Sequence, residues 1–248
     1  MASPPTATQL GLPATIRAAL FDMDGVLTQT SALHRAAWKA TFDPILTEAG
    51  QGEFTEREYA EHVDGRRRYD GVRKFLTSRG LILPEGTPQD PPEANTICGI
   101  GNRKNAAVTT AIATDGVQTF PETVKYLEAA RAAGLATAVV TASANGEAVL
   151  KASGLEDLLD GRIDGVIAAQ QKLPGKPAPD TFLAGAELLG VRPEESVVIE
   201  DAISGVQAAR AGGFGYVVGV DRLDQREELE RAGADVVVRE LTELMEDA

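Results

Sequence analysis

Four polar clusters stand out because each follows a short apolar run. The first is Phe21-Asp22-Met23-Asp24-Gly25, two carboxylates two residues apart with a glycine that permits a sharp turn. Neighbouring side chains of an extended segment point oppositely, so a spacing of two lets Asp22 and Asp24 approach one face. Standing alone, such a pair serves equally well as a turn or a helix cap. The second cluster, Thr141-Ala142-Ser143-Ala144-Asn145, offers a hydroxyl and successive amides to phosphate oxygens, although Ser, Thr and Asn are also the usual helix caps. In the third, Pro174-Gly175-Lys176-Pro177, prolines stiffen a loop that presents a lysine either to a phosphoryl group or simply to water. The fourth is Glu200-Asp201, directly after Val197-Val198-Ile199. Gathering these acids beside Asp22 and Asp24 is unfavourable unless a cation neutralises them, and hard oxygen ligands suit Mg²⁺.

Such junctions carry chemistry at the carboxyl ends of strands in an open parallel sheet, so the elements around them matter. Residues 17–21 read as a buried strand. Pro121 suits the first turn of a helix over 121–133, and Gly134 suits its left-handed cap before a strand at 135–140. Alternation continues with a helix over 145–153, a short strand near Val166-Ile167, a helix after Pro177, and a strand at 197–199. Strands at 216–220 and 235–238 flank a helix over 224–231, and residues 240–247 read as a last helix. Residues 31–108 are instead charged and helical, broken by Pro84, Pro88, Pro91 and Pro92, with no convincing buried strand. The expected fold is therefore α/β: a doubly wound, Rossmann-like parallel-sheet core formed by residues 1–32 and 109–248, with residues 33–108 inserted as an α-helical cap.

Composition narrows the function classes. The chain has 248 residues, 43% of them apolar, enough for a real core. Its 37 acids against 24 bases give a net charge of −13. That balance disfavours nucleic acid and anionic membranes as partners, because both select basic surfaces. Cys98 has no partner for an internal disulfide, and residues 1–13 lack the basic start and apolar run of a signal peptide. No apolar run approaches the roughly 20 residues that span a bilayer. A cytoplasmic protein is expected, with the small Pro/Ala/Thr-rich leader at residues 2–8 frayed.

Taken in order, the four clusters resemble the motifs of the haloacid dehalogenase superfamily over nearly the whole chain. Within it the sequence is most similar to the β-phosphoglucomutase family, because the insertion carries matching residues too. These are Thr30, His34 and Trp38, then Val63-Asp64-Gly65-Arg66-Arg67-Arg68-Tyr69-Asp70-Gly71, and Asn102-Arg103-Lys104-Asn105. The resemblance implies that Asp22 is the nucleophile that becomes an aspartyl-phosphate and that Asp24 is the general acid and base. It further implies that Thr141 and Lys176 hold the transferring phosphate, joined by amides following Asp22. Mg²⁺ would be held by Asp22, the Asp24 carbonyl and Asp201, with Glu200 as a ligand or a support behind them. Substrate binding would involve Thr30, His34, Gly65, Arg68, Lys104, Asn105, Ser143 and Asn145. Arg68 would grip the distal phosphate of a hexose phosphate, although an arginine run is equally a solvated helix face and a lone histidine equally a packed one. Trp38 fits the cap core better than a sugar platform.

The implied reaction interconverts β-D-glucose 1-phosphate and D-glucose 6-phosphate through β-glucose 1,6-bisphosphate, with the cap opening about hinges at 28–31 and 109–116. The alternatives are a Mg²⁺-dependent sugar-phosphate phosphatase, which needs the same core residues, and a noncatalytic sugar-phosphate-binding protein, which predicts a damaged catalytic set. A self-contained site is compatible with a monomer. Three departures from the family pattern bear on substrate choice: Ala144 where a lysine is common, Gln29 at a hinge position that is often acidic, and the proline- and glycine-rich insertion at 83–92.

Overall fold

The computed structural model describes residues 5–245. Six parallel strands form one sheet in the order β3-β2-β1-β4-β5-β6. They are β1 (Ala18–Phe21), β2 (Ala136–Val140), β3 (Gly161–Ile163), β4 (Ser196–Glu200), β5 (Tyr216–Val220) and β6 (Val236–Val238). The central strands β1 and β4 are buried along their whole length, as expected where helices cover both faces. Side-chain alternation divides the core into two layers. Ala19, Phe21, Val139, Val197 and Ile199 pack on one face, while Leu20, Ala138, Val140, Val198 and Val217 pack on the other. From β1 the chain pairs with β2 on one side and β4 on the other. Their carboxyl ends therefore open on the crevice where the winding reverses, which is where such sheets place their sites.

Between β1 and β2 run α1 (Thr30–Glu48), the single turn α2 (Glu56–Glu58), a π-helical turn at Tyr59–Val63, α3 (Arg68–Ser78), α4 (Ile97–Asp115) and α5 (Pro121–Ala132). The rest of the core adds α6 (Gly146–Ser153), α7 (Gly165–Gln170), α8 (Asp180–Leu188), α9 (Ile203–Ala211) and α10 (Arg226–Ala232). Helices α1, α3 and α4 enclose a separate apolar cluster built on Trp38, Phe42, Phe54, Phe75 and Ile100. Phe42 stacks on Trp38 at 5.1 Å and lies 4.3 Å from the Phe75 ring centroid, so aromatic packing holds this unit together.

Several elements differ from the sequence expectations. Val166-Ile167 is helical: the Asp164 carboxylate accepts from both amides, at 3.0 and 2.9 Å, and starts α7. The edge strand lies just before it, at β3. The return to the core crosses at 118–120, beyond the expected 109–116, because α4 continues unbroken to Asp115. Gln29 N donates to Gln118 O at 2.8 Å, and Phe120 N to Leu27 O at 3.1 Å. Residues 241–244 form one 3₁₀ turn instead of a helix, and 246–247 lie outside the described residues. Of the leader, residues 2–4 also lie outside, but Thr8–Leu10 is a formed turn with Leu10 fully buried under Tyr126. No described helix is long and apolar enough to cross a membrane.

Phe42 is fully buried at the centre of the cap cluster. Phe42→Ala is expected to cost about 3–5 kcal/mol, read as a lowered midpoint in urea unfolding.

Candidate active site

The strands β1 and β4 end side by side and deliver Asp22, Glu200 and Asp201 to one point. All three carboxylates are buried, and each offers an oxygen within 4.8 Å of the others. Lys176 comes from the opposite loop and is 3% exposed; its Nζ donates to Asp22, to Glu200 and, at 3.3 Å, to Val140 O. Glu200 also accepts from Ala202 N at 2.8 Å, so Lys176 and this amide occupy it. It stands behind the other two acids. A single ammonium faces three carboxylates, and the electrostatics register the shortfall. Burial pushes Asp22 up to about 6 despite Lys176, and Glu200 up to about 7; burial with repulsion from Asp64, Glu200 and Asp22 pushes Asp201 well above the usual range. The same carboxylates push the Lys176 ammonium up against its desolvation.

This donor set fits Mg²⁺: hard oxygens and three buried carboxylates against a single lysine, an excess of two negative charges. Asp22 and Asp201 would be the direct holders. Gly25 follows at φ +91°, where a side chain is strained, and a Cβ there would overlap the Asp201 carboxylate. The turn after Asp24 is thus closed enough to bring its backbone beside Asp201 only because residue 25 is glycine.

Asp24 is oriented from the hinge. Its carboxylate accepts from Thr30 Oγ1, which also bonds Thr28 Oγ1 at 2.7 Å. Desolvation raises its pKa. His34 Nε2 lies 3.7 Å from Asp24, and His34 Nδ1 lies 3.0 Å from Lys104 Nζ. Burial and the neighbouring Lys104 hold His34 neutral, so the hydrogen-bond network assigns its proton to Nε2, on the Asp24 side. Nε2 is a buried donor without a partner, which fits a substrate oxygen between His34 and Asp24. Lys104 itself is brought down to about 7 by burial, partly offset by Asp24. The lysine lies 4.8 Å over the Trp38 ring, so Trp38 serves both the cap core and the pocket wall.

A cavity of about 550 Å³ separates these core residues from the cap. His34, Gly65, Arg68, Lys104, Asn105, Thr141 and Ser143 line it together with Asp22, Asp24 and Asp201. Thr30 does not; it is buried beneath Asp24. Asn145 is also outside the lining, and its side-chain amide donates to Asn105 Oδ1 at 3.1 Å across the core–cap boundary. The cap is docked on the core at further points. Ser204 Oγ donates to Asp64 O at 2.8 Å; a Cβ on Gly65, at φ +67°, would meet Ser204 and Ala202; and the Arg67 stem lies on Gly175.

Sequence reasoning missed part of this wall. Tyr59, Asp64, Arg66, Arg67, Arg73, Glu85 and Pro88 also line the cavity. The insertion at 83–92 therefore reaches the site: Arg73 pairs with Glu85 at 2.6 Å and Asp70 at 2.8 Å, and Asn102 donates to Pro88 O and Asp90 O. Asp64 and the arginine run stood inside a recognised motif, and their adjacency to Gly65 was the available signal. Among the described residues, every arginine outside 66–68 meets a carboxylate or a backbone carbonyl. Arg66, Arg67 and Arg68 meet neither. In so acidic a chain, three guanidiniums left without anionic partners at one cavity mark it as an anion site.

The haloacid dehalogenase-like hydrolase family model matches residues 16–213, and the chain belongs to that family. It is 50% identical over 246 residues to the β-phosphoglucomutase of Mycobacterium bovis, covering 95% of this chain and 94% of the relative. It is also 32% identical over 200 residues to the fructose-1-phosphate phosphatase YqaB of Escherichia coli, covering 80% of this chain and 93% of that one. The crystal structure of β-phosphoglucomutase from Clostridium difficile shares the fold, with a TM-score of 0.72, 24% identity, and coverage of 92% of this chain and 93% of that one.

The raised carboxylates have a consequence for stability. Between the ordinary carboxylate range and about 7, the metal-free native state binds more protons than the unfolded chain, so its stability falls as pH rises. Mg²⁺ favours the ionised carboxylates and opposes that fall. The urea midpoint of metal-free protein should drop between about pH 5 and pH 7.5, and saturating Mg²⁺ should restore it most at the upper end. A gain from Mg²⁺ that is equal at both pH values would contradict this charge balance.

Proposed function

We propose that the protein interconverts β-D-glucose 1-phosphate and D-glucose 6-phosphate. The observation that carries this reading is the pairing, across one cavity, of a phosphoryl-transfer centre with three unpaired arginines. A hydrolase acting on one phosphate needs the first; a substrate phosphorylated at both ends needs both. The 50% identity to a β-phosphoglucomutase supports the same choice over the phosphatase.

Asp22 attacks the phosphorus of a bound phosphate in line, and the aspartyl-phosphate that forms divides the exchange into two transfers. Lys176 and Thr141 hold the equatorial oxygens while charge moves onto the leaving group. Asp24 gives a proton to the departing sugar oxygen and takes one from the hydroxyl that attacks next; its raised pKa suits both directions. Thr30 aims that carboxylate, and His34 faces it across the space for a substrate oxygen. Bound Mg²⁺ would supply charge neutralisation at the phosphoryl oxygens, held by Asp22, Asp201 and the Asp24 carbonyl with Glu200 behind. Arg68, with its stem packed against Gly101 and its guanidinium 4.9 Å from the Tyr69 ring, grips the phosphate that is not being transferred. Lys104, Asn105 and Ser143 line the space for the sugar between them, and Gly65 lets the cap loop seat on the core.

Glucose 1,6-bisphosphate is both the activating cofactor and the intermediate: it phosphorylates Asp22, and after release from Arg68 it must turn end for end. The docked cap excludes water from the aspartyl-phosphate, which separates the mutase from a hydrolase. Every named group comes from one chain, so a monomer suffices for the reaction, acting on its sugar phosphate in the cytoplasm with no nucleic acid or membrane partner.

Phosphorus NMR tests the reading, using purified protein, Mg²⁺, β-glucose 1-phosphate and a trace of glucose 1,6-bisphosphate. Glucose 6-phosphate should appear well before free phosphate; free phosphate as the main product would make the protein a phosphatase. Asp22→Ala should abolish turnover while leaving sugar-phosphate binding measurable. Arg68→Ala should reduce kcat/KM for the hexose phosphate by at least roughly tenfold more than for acetyl phosphate, the size expected for a lost charge-assisted contact.

A further inference from the structure

One half-buried acid of the cavity has no part in that mechanism and no basic partner. Asp64 is at the tip of the cap loop, with its backbone carbonyl fixed by Ser204 and its carboxylate beside the Tyr59 hydroxyl and the Gly65 amide. It lines the same cavity as the arginines and lies near enough to Asp24, Glu200 and Asp201 for their charges to act on it. It forms no ion pair, although Arg66, Arg67 and Arg68 follow within four residues and Lys104 faces the same space. It is also outside the trio of carboxylates whose oxygens converge on a cation site. The cap thus presents an uncompensated acceptor next to uncompensated donors. A phosphate answers the guanidiniums, but as an anion it does not suit a carboxylate. A neutral hydroxyl does.

We propose that Asp64 is a specificity-determining residue that accepts a hydrogen bond from a ring hydroxyl of the sugar in the closed cap. Tyr59 and Ser204 hold it in place. Because it moves with the cap, the contact exists only when the cap is seated, so the correct hydroxyl pattern helps hold the cap closed. A sugar lacking that hydroxyl leaves this carboxylate short of a donor, and the discrimination is correspondingly large. The proposal rests on a sugar phosphate as substrate, but not on whether the phosphoryl group passes to sugar or to water.

The test measures kcat/KM for β-glucose 1-phosphate and its 2-, 3- and 4-deoxy analogues with wild type, Asp64→Ala and Asp64→Asn, following both glucose 6-phosphate and free phosphate. Wild type should lose roughly 10- to 150-fold on one deoxy analogue, the range for a hydrogen bond to a charged group. That penalty should shrink to near unity in Asp64→Ala and to an intermediate value in Asp64→Asn, which keeps the side-chain shape. Equal penalties in all three proteins would overturn the proposal. So would a loss on acetyl phosphate as large as on the sugar together with a raised Mg²⁺ requirement, which would place Asp64 at the cation instead. A wild type that yields only free phosphate would refute the mutase reading while leaving the analogue comparison readable on phosphate release.

Discussion

Three buried carboxylates meeting one lysine at the ends of β1 and β4 are the constraint on which the rest of the structure depends. Parallel pairing of two fully buried strands places Asp22 and Asp201 together whether or not their charges can be balanced there. Burial raises Asp22 and Glu200 towards neutrality, a penalty that a divalent cation would relieve by favouring the ionised carboxylates. The lysine between Asp22 and Glu200 and the amide of Ala202 on Glu200 offset part of that imbalance, while the glycine after Asp24 gives the Asp201 carboxylate room.

The cap answers with the opposite sign. Arg66, Arg67 and Arg68 keep their charges free, while the cap's other arginines are engaged by acids or, for Arg103, by the Pro92 carbonyl. Core and cap together therefore line one cavity with the carboxylates of Asp22, Asp24 and Asp201 and with the unpaired guanidiniums of residues 66–68. That combination of charges is what the proposed bisphosphorylated sugar requires. The contacts that seat the cap, Ser204 on Asp64 and Asn145 on Asn105, join residues more than thirty positions apart and exist only in the folded chain.

Much of this was legible because it is local. The two-residue spacing in Asp22-Met23-Asp24, the proline-framed Lys176 and the acids closing β4 announce themselves at strand ends. The doubly wound core followed from apolar runs alternating with helical segments. Reading failed where a local signal competed with another. Val166-Ile167 carries β-branched residues, but the Asp164 cap decides for helix. Residues 109–116 hold no proline to end α4, and the crossing waits for Gly116 and beyond. Thr30 stood in a recognised motif, and the fold sets it under Asp24 instead of in the cavity. That 83–92 reaches the cavity was invisible for a different reason: it depends on how the cap folds back on itself, which no spacing encodes.

The central claim is that Asp22, in this charge arrangement, carries the phosphoryl group. The direct measurement is acid quenching of the protein after brief mixing with glucose 1,6-bisphosphate, followed by peptide mass spectrometry. A phosphoryl adduct on the peptide containing Asp22, formed with Mg²⁺ and absent both without it and in Asp22→Ala, is the expected result. Turnover of the bisphosphate with no adduct on that peptide, or with the adduct on another residue, would contradict the account.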